Sequence, residues 1–477
     1  MLFNSLLFFV FFALVYALYL SLNQPSQNRM LLVASLTFYG WWDYRFLALI
    51  LFSIILDYLC GLKIASHHDV RGRRVWLGVS LAGNLGLLGL FKYFHFFIDS
   101  FITVFSWLGL EVHRPTIQVI LPIGISFYTF QTLSYTLDIY RRQLTPTRNI
   151  IDFALFVSFF PQLLAGPIER ARNLLPQIQA PRQITAAIIV EGLYLFGWGL
   201  FKKVLLADTI APIVNHIFAH PDQMGTGEVL LGLFTFSLQL YWDFSGYTDM
   251  ARGLAKLMGF HLMLNFRFPA FAERLSDFWG RWHISLSTWI RDYVYIALGS
   301  NRRRPMRGLL NVVLVMTLIG LWHGAAWTFV IWGVYFGVLQ AIQLAWSARR
   351  GRARGKSNES RFVRIRNLLT CRVMVIFSLI FFRSEDGRHV GDMFTALLRG
   401  FSVGEGFFDM LSMTFIMWAP FRLYDYWQFR RDDQLRILRQ PVVVQFWLLC
   451  AAVAWGYTIF LFSDSLPVGE EFIYFQF

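Results

Sequence analysis

The residue best suited to chemistry in this 477-residue sequence is His323, within an apolar stretch that runs from Leu309 to Trp346. Ionisable side chains are costly at bilayer depth, so such a residue marks a functional site or a satisfied polar network. An imidazole shielded from water stays neutral, the form that can take a proton from a hydroxyl. His323 is therefore a candidate general base, and the open alternative is a structural histidine hydrogen-bonded between helices.

The immediate neighbours of His323 indicate close packing around one polar group. Gly324 and the two alanines after it allow backbones to approach, and Trp322 and Trp327 are predicted to form bulky walls around the imidazole. No Gly-x-Ser-x-Gly motif or convincing Ser/His/Asp set accompanies the histidine, so a covalent serine intermediate is not favoured.

A second polar cluster lies between residues 239 and 249, at the end of an apolar helix. It includes Asp243, Ser245, Tyr247 and Asp249. Two carboxylates six residues apart do not by spacing alone form a glycosidase pair. The favoured interpretation is structural: these groups cap helices, pair with nearby arginines or hold a cavity open.

The composition identifies the class of protein. With 56% hydrophobic, 18% aromatic and 15% charged residues, the chain has too much apolar surface for one soluble core and is predicted to be a multi-pass membrane protein. No signal-peptide pattern is evident, so the run from Leu2 to Leu20 is predicted to be a first transmembrane helix.

The net charge of +14 comes from basic residues between apolar segments rather than from a nucleic-acid-binding motif, so no nucleic-acid partner is expected. Excess Lys and Arg mark cytoplasmic loops. The basic loops expected there, with a dedicated lipid or nucleotide site as the alternative, are Lys63 to Arg74, Arg302 to Arg307, Arg349 to Arg366 and Arg430 to Arg439. Three isolated cysteines, Cys60, Cys371 and Cys450, favour neither a disulfide framework nor a metal site.

The chain is predicted to be all-α, with roughly 11 transmembrane helices plus re-entrant and interfacial ones, in a single membrane domain over residues 1–477. Apolar segments interrupted by Pro161, Gly166 and Pro167 predict broken helices that enclose a cavity. The mixed aromatic and charged stretch from Arg267 to Leu298 predicts interfacial helices, which either anchor the protein or line a cytoplasmic entrance. Residues 347–366 are predicted to form a mobile cytoplasmic loop.

The basic loops on either side of His323 predict its position. If both loops are cytoplasmic, the residues between them form a helical hairpin with the histidine near its turn. At a rise of about 1.5 Å per residue from Leu309, His323 lies roughly 20 Å from the cytoplasmic end, about two thirds of the way through the bilayer core.

Several motifs together resemble the membrane-bound O-acyltransferase family, in particular its bacterial branch of alginate O-acetylation, peptidoglycan O-acetyltransferase and teichoic acid D-alanyl transfer proteins. They are FFPQLLAGPI at 159–168, DFSGY at 243–247, NF at 265–266, FW at 278–279, RWHISLS at 281–287, WHG at 322–324 and FIYFQF at 472–477. Gly280 departs from the family pattern, which generally has a basic residue there. That departure removes one possible contact to the donor or to lipid.

The resemblance implies a fold of tilted helices around a tunnel, with a core over about residues 115–382. It implies that His323 is the catalytic histidine and His283 a second functional histidine on a cytoplasmic-side helix. The residues predicted to line the tunnel are Trp322, Trp327, Asp243, Ser245, Tyr247, Trp282 and Arg281.

The resemblance further implies an acetyltransferase of the bacterial inner membrane with no bound cofactor and no metal. The expected donor is acetyl-CoA or another acyl thioester, and the acceptor is an extracytoplasmic polysaccharide such as alginate. The expected partners are a periplasmic or membrane-anchored acetyltransferase, the polysaccharide-synthesis machinery and an acyl carrier. Alternatives are peptidoglycan O-acetylation, D-alanyl transfer to teichoic acid, a transporter in which His323 relays protons, and a scaffold for polysaccharide export.

Overall fold

The structure is a computed structural model that describes residues 1–112, 119–299, 305–349 and 360–462. The described residues form helices and contain no strand, which confirms the all-α prediction. The chain divides into two compact units. One unit comprises residues 1–196 and 251–263, and the other comprises residues 197–250 and 264–477.

The helices of the first half of the chain are α1 (Leu6–Ser21), α2 (Gln24–Gly40), α3 (Leu47–Ser66), α4 (Val70–Leu88), α5 (Phe94–Trp107), α6 (Ile125–Tyr140), α7 (Ile150–Ser158), α8 (Phe160–Leu163), α9 (Ala171–Gln179), α10 (Ala186–Leu200), α11 (Thr209–Ala219) and α12 (Thr226–Leu257). Those of the second half are α13 (Leu275–Trp279), α14 (Ile284–Ile290), α15 (Pro305–His323), α16 (Trp327–Arg349), α17 (Arg361–Arg383), α18 (Gly387–Leu398), α19 (Phe407–Phe429) and α20 (Val442–Phe462). Short 3₁₀ segments are Tyr44–Phe46, Pro269–Phe271 and Arg436–Arg439, and π-helical segments are Gly89–Tyr93, Phe201–Asp208 and Arg291–Tyr295.

Six helical segments among the described residues are long and apolar enough to cross a membrane. They are Tyr44–Ser66, Val70–Trp107, Met306–His323, Trp327–Arg349, Arg361–Arg383 and Val442–Leu461. The shorter helix α1 is apolar as well, with most of its side chains at least partly exposed. The structure thus agrees with a multi-pass protein, and the total of roughly 11 spanning helices stays a prediction.

The predicted broken helix is present in the first unit. Helix α7 ends at Ser158, Phe159 takes the non-helical angles φ −49° and ψ 109°, and the short α8 begins with Phe160 and Pro161. The proline fits because a residue in the first turn of a helix needs no intrahelical hydrogen bond from its nitrogen. The backbone N–H of Phe160 instead donates to Oγ of Ser35, and both residues are buried.

Helices α15 and α16 form the predicted hairpin of the second unit, and His323 is the last residue of α15. Small residues let the two helices touch along their backbones, as in many membrane helix pairs. A Cβ atom on Gly320 would lie 2.2 Å from the carbonyl oxygen of Phe329, and one on Gly333 would lie 2.5 Å from that of Met316. The close crossing fixes where the end of α15 lies.

The predicted mobile loop over residues 347–366 is shorter than expected. Residues 347–349 continue α16, and residues 361–366 form the first turns of α17; the intervening 350–359 lie outside the described residues. Ser360 caps α17 by accepting a hydrogen bond from the N–H of Val363. Exposed arginines are good helix formers, so the helix starts before the apolar run begins.

The stretch from Arg267 to Leu298 consists of short helical pieces, as predicted for this region. It contains the 3₁₀ segment Pro269–Phe271, helices α13 and α14, and the π-helical segment Arg291–Tyr295. The interruptions between the pieces include Phe268 and His283, both with positive φ. The interfacial location of these pieces stays a prediction.

Candidate active site

The imidazole of His323 is buried, with 5% of the residue exposed, and aromatic rings surround it. Ring centroids lie 5.1 Å away for Trp322, 5.3 Å for Trp332 and 5.4 Å for Phe382, all in edge-to-face geometry. Edge-to-face pairs at this separation add about 0.5–1.5 kcal/mol each beyond the area they bury. The rings hold the imidazole in one orientation and exclude bulk water from its sides.

The backbone after His323 permits this enclosure. Gly324 lies against the ring of Phe329, where a Cβ atom would come within 2.1 Å of a ring carbon. The ring of Phe329 packs in turn on Phe382, with centroids 5.1 Å apart. A side chain at position 324 would therefore displace one wall of the histidine site.

One of the two predicted tryptophan walls differs in the structure. Trp322 contacts the imidazole as expected, but Trp327 is 60% exposed at the start of α16. The buried indole on this side comes instead from Trp332, further along α16 and 5% exposed. The difference arises because the side chain of Trp327 lies on the exposed face of α16, whereas Thr328, Phe329 and Trp332 lie on its buried face, a division that sequence proximity to His323 does not reveal.

His283 precedes α14 and has a strained backbone. Its angles are φ 44° and ψ 52°, in the left-handed region that non-glycine residues rarely occupy. Such conformations cost about 1–3 kcal/mol and persist where the surroundings enforce them, often at functional sites. The residue is 1% exposed, so its ring is enclosed.

Asn265 enforces this conformation from a neighbouring segment. Its carbonyl oxygen accepts from the N–H of Ile284 at 2.9 Å, and its Oδ1 accepts from Oγ of Ser285 at 2.6 Å. Its Nδ2 lies 3.5 Å from Oγ1 of Thr248 on α12. Both residues that follow His283 are thus held by one buried asparagine, which sequence analysis noted only as part of a motif.

The ring of His283 is neutral at physiological pH. Burial lowers the pKa of its imidazole to about 3. Neither ring nitrogen has a hydrogen-bond partner in another residue within the described parts of the chain. The ring contacts Phe244, with centroids 4.7 Å apart, and a buried neutral imidazole can both donate and accept one hydrogen bond to a bound group.

Trp322 connects the two histidines. Its ring centroid lies 5.1 Å from that of His323 and 5.9 Å from that of His283. The second unit therefore brings together two histidines that are 40 positions apart in sequence, one at the end of α15 and one at the start of α14.

The residues predicted around position 243 belong to a buried charge network rather than to the aromatic enclosure. Nζ of Lys203 lies 2.7 Å from Asp208 and 2.9 Å from Asp243. Nζ of Lys202 donates to Oγ of Ser245 at 3.0 Å and lies 2.7 Å from Asp249. Asp243 and Asp249 thus each contact a lysine, and the tunnel-lining role of Asp243, Ser245 and Tyr247 stays a prediction.

Local helix geometry explains this network. Both lysines lie in the π-helical segment Phe201–Asp208, in which residues five apart share a hydrogen bond and one side of the helix. Lys203 and Asp208 are five apart. The backbones also touch, since a Cβ atom on Gly246 would lie 2.8 Å from the carbonyl oxygen of Gly199. Two adjacent lysines in an apolar segment were the sequence signal for this network.

Three predicted residues remain. Arg281 and Trp282 directly precede His283 in the sequence, and Tyr247 lies on α12. Trp282 packs on Phe266 with centroids 5.0 Å apart and lines a cavity described below. Arg281 is partly exposed and pairs with Asp277 at 2.7 Å. Tyr247 is 1% exposed on α12. No group of three or more His, Cys, Asp or Glu side chains that could hold a metal occurs within the described ranges.

The arrangement suits proton transfer in a dry pocket. A neutral buried imidazole can accept a proton from a hydroxyl, and low-dielectric surroundings strengthen any charge interaction in the transition state. Sequence analysis missed Trp332 and Phe382, which align His323. Both are ordinary aromatic residues in apolar helices, so only the fold identifies them.

Comparison with known proteins places this geometry in context. The family model of the membrane-bound O-acyltransferases matches residues 133–384, which contain both histidines. A probable alginate O-acetylase AlgI of Azotobacter vinelandii is 44% identical over 347 residues, or 72% of this chain and 69% of that protein.

Two other relatives are named for different activities. A peptidoglycan O-acetyltransferase of Helicobacter pylori is 36% identical over 73% of this chain and 71% of its own length. A teichoic acid D-alanyltransferase of Bacillus subtilis is 30% identical over 48% of this chain and 60% of its own length. All three relatives are named for the transfer of an acyl group.

Proposed function

Because this chain belongs to the membrane-bound O-acyltransferase family, and is therefore an acyltransferase, we propose that it O-acetylates an exopolysaccharide of the alginate type. The observation that supports this proposal is the 40–44% identity to several alginate O-acetylases over 72–91% of the chain. The proposed location is the bacterial inner membrane, and the proposed donor is acetyl-CoA or another acyl thioester on the cytoplasmic side. The chain itself holds no cofactor or metal in this proposal.

His323 is the proposed general base. One nitrogen of the imidazole takes the proton of an acceptor hydroxyl while the hydroxyl oxygen attacks the thioester carbonyl. The carbon–sulfur bond then breaks, and the departing thiolate takes the proton from the imidazolium, which returns His323 to its neutral form. Positioned proton transfer of this kind contributes about 10²- to 10⁴-fold in rate.

His283 is the proposed second functional histidine. Its ring is neutral because burial lowers its pKa to about 3, so it acts as a hydrogen-bonding group and not as a cation. Its contact with Trp322, which also contacts His323, supports a role in orienting the donor or relaying a proton next to the reacting atoms.

Transfer to the polymer is proposed to finish on a periplasmic or membrane-anchored acetyltransferase, together with the polysaccharide-synthesis machinery. An acyl carrier protein is an alternative source of the thioester. Peptidoglycan O-acetylation is the second candidate function, supported by the 36% identity to the Helicobacter pylori enzyme over most of the chain.

The test uses membranes that contain the full chain and its native polymer, supplied with [¹⁴C]acetyl-CoA. We expect label in the polymer with the native protein and loss of at least about 10²-fold with His323→Ala, while the amount of membrane-inserted protein and polymer export persist. Full labelling by His323→Ala would refute the catalytic role. Label in peptidoglycan instead of exopolysaccharide would favour the second candidate.

A further inference from the structure

A cavity of about 120 Å³ lies in the second unit, beside Trp282, the residue before His283. Most of its lining is apolar or aromatic, including Phe234, Leu238, Val375 and Trp418. Its lining also includes Ser237, whose hydroxyl donates to the carbonyl oxygen of Phe234, and four further polar residues: Arg372, Arg422, Asp425 and Tyr241. The proposed acyl-transfer mechanism uses none of these four residues.

The two guanidinium groups converge on a single backbone oxygen. Nε and Nη2 of Arg372 donate to the carbonyl oxygen of Ala270 at 3.0 and 2.7 Å. Nη2 of Arg422 donates to the same oxygen at 3.1 Å, and its guanidinium lies 3.8 Å from the ring centroid of Phe271. One oxygen thus fixes two cations at one end of the cavity.

The negative charge within this group is insufficient for its two cations. Nη1 of Arg422 lies 3.1 Å from Oδ2 of Asp425, and these side chains are 15% and 5% exposed. The carboxylate of Asp425 is shared between the two arginines, because Arg372 also lies close enough for a favourable electrostatic interaction with it.

Lys202, which also interacts electrostatically with Asp425, and Asp277, which interacts with the neighbouring Cys371, each have an ion-pair partner of their own. Lys202 pairs with Asp249 at 2.7 Å, and Asp277 pairs with Arg281 at 2.7 Å. Arg372, Arg422 and Asp425 therefore leave one excess positive charge in the lining of this mainly apolar cavity, an arrangement that is costly without an anion.

We propose that this cavity binds a singly charged phosphate group carried on an apolar or extended chain. Paired guanidinium groups match phosphate oxygens in geometry and charge, and one phosphodiester would neutralise the excess. The apolar walls would contact the aliphatic part next to the phosphate. Two sources share this chemistry: the phosphodiester of a phospholipid headgroup, or one of the two singly charged phosphates in the diphosphate of a coenzyme A thioester. The second source rests on the proposed function, and the first does not.

The test measures binding of two probes to the purified full-length protein in a neutral detergent. Native mass spectrometry follows dioleoyl phosphatidylglycerol, and titration calorimetry follows coenzyme A. We expect Arg372→Gln and Arg422→Gln each to lower the affinity of the protein for one of the two probes by about 10- to 100-fold, because each substitution removes charge-assisted hydrogen bonds. The affected probe identifies the source.

Four further variants distinguish loss of the site from general damage to the fold. Arg388→Gln, an exposed arginine on α18 outside the basic loops and the cavity lining, leaves both affinities unchanged. Arg372→Lys and Arg422→Lys keep the charge but lose the planar fork, so they weaken binding less than Gln and retain folding if the neutral variants do not. Asp425→Asn removes the competing carboxylate and tightens binding by about 10-fold, whereas damage to the fold would weaken it. Native affinity of both probes for the Gln and Lys variants would overturn the proposal.

Discussion

The indole of Trp332 lies edge-on to the imidazole of His323, with 5.3 Å between ring centroids and 84° between ring planes. This contact restricts rotation of the imidazole, and loss of orientation at a reacting group lowers rates steeply. We expect Trp332→Ala to reduce acetyl transfer by about 10²-fold without loss of folded protein, and Trp332→Phe to retain most activity. Initial rates of acetyl incorporation with [¹⁴C]acetyl-CoA provide the measurement.

A matched control for this variant is Trp346→Ala. Trp346 lies on the same helix as Trp332 but is 57% exposed, and we expect less than a twofold change in rate. Equal rates for Trp332→Ala and the native protein would contradict the alignment of His323 by this ring.

Asn265 enforces the strained backbone of His283. In Asn265→Ala the Oδ1 acceptor is lost, Ser285 loses its 2.6 Å hydrogen bond, and His283 can relax toward ordinary angles. We expect the same fractional loss of acetyl transfer in Asn265→Ala as in His283→Ala, and no further loss in the double variant. Steady-state rates of the three variants test this, and additive losses would show that Asn265 acts independently of His283.

The buried charge network around Lys203 predicts that two substitutions within it lower the yield of folded protein to different extents. Lys203 lies within 2.9 Å of both Asp208 and Asp243, so Lys203→Met leaves two buried carboxylates without this cation. Asp243→Asn leaves Lys203 paired with Asp208. Breaking a buried ion pair by removing one partner costs about 3–5 kcal/mol, so we expect Lys203→Met to lower folded yield severely and Asp243→Asn mildly. Fluorescence-detected size exclusion measures that yield, and equal losses would contradict the network.

The sequence predicted the elements around His323 because the relevant signals are local. Charged flanks and an apolar run define the α15–α16 hairpin, and the cost of an ionisable group in such a run identifies the histidine. The broken helix near Pro161 was predictable for the same reason, since proline cannot continue a hydrogen-bonded turn.

The contacts of the site were not predictable, because they depend on the turn and on helix register. Trp332 takes the place expected for Trp327 because Trp332 lies on the buried face of α16 and Trp327 on its exposed face. Lys203 reaches Asp208 and Asp243 because the helix locally widens to a π-helix, a change of register for which the sequence carries no simple signal.

Burial of His283 is expected to make the stability of the folded protein depend on pH. Its pKa is lowered by burial from 6.5 to about 3, so below pH 6.5 the unfolded chain binds a proton that the folded chain does not. The folded state therefore loses stability as pH falls through 6.5. Between pH 7.5 and 5.5 this one group removes about 1.4 kcal/mol. Thermal unfolding midpoints should fall less over that interval in His283→Gln than in the native protein, and parallel shifts would exclude a buried neutral His283.

The glycines of the α15–α16 hairpin determine whether His323 reaches its aromatic enclosure. A Cβ atom on Gly320 would lie 2.2 Å from the backbone oxygen of Phe329, a contact that no side-chain rotation can relieve. We expect Gly320→Ala to separate the helices, abolish acetyl transfer and destabilise the protein by about 1–3 kcal/mol or more, as overpacking a core does. Gly78→Ala is the control, since a Cβ there meets nothing within 4 Å and alanine favours a helix. Thermal midpoint and acetyl incorporation are measured together, and a Gly320→Ala protein as stable and active as Gly78→Ala would contradict the backbone contact that positions His323.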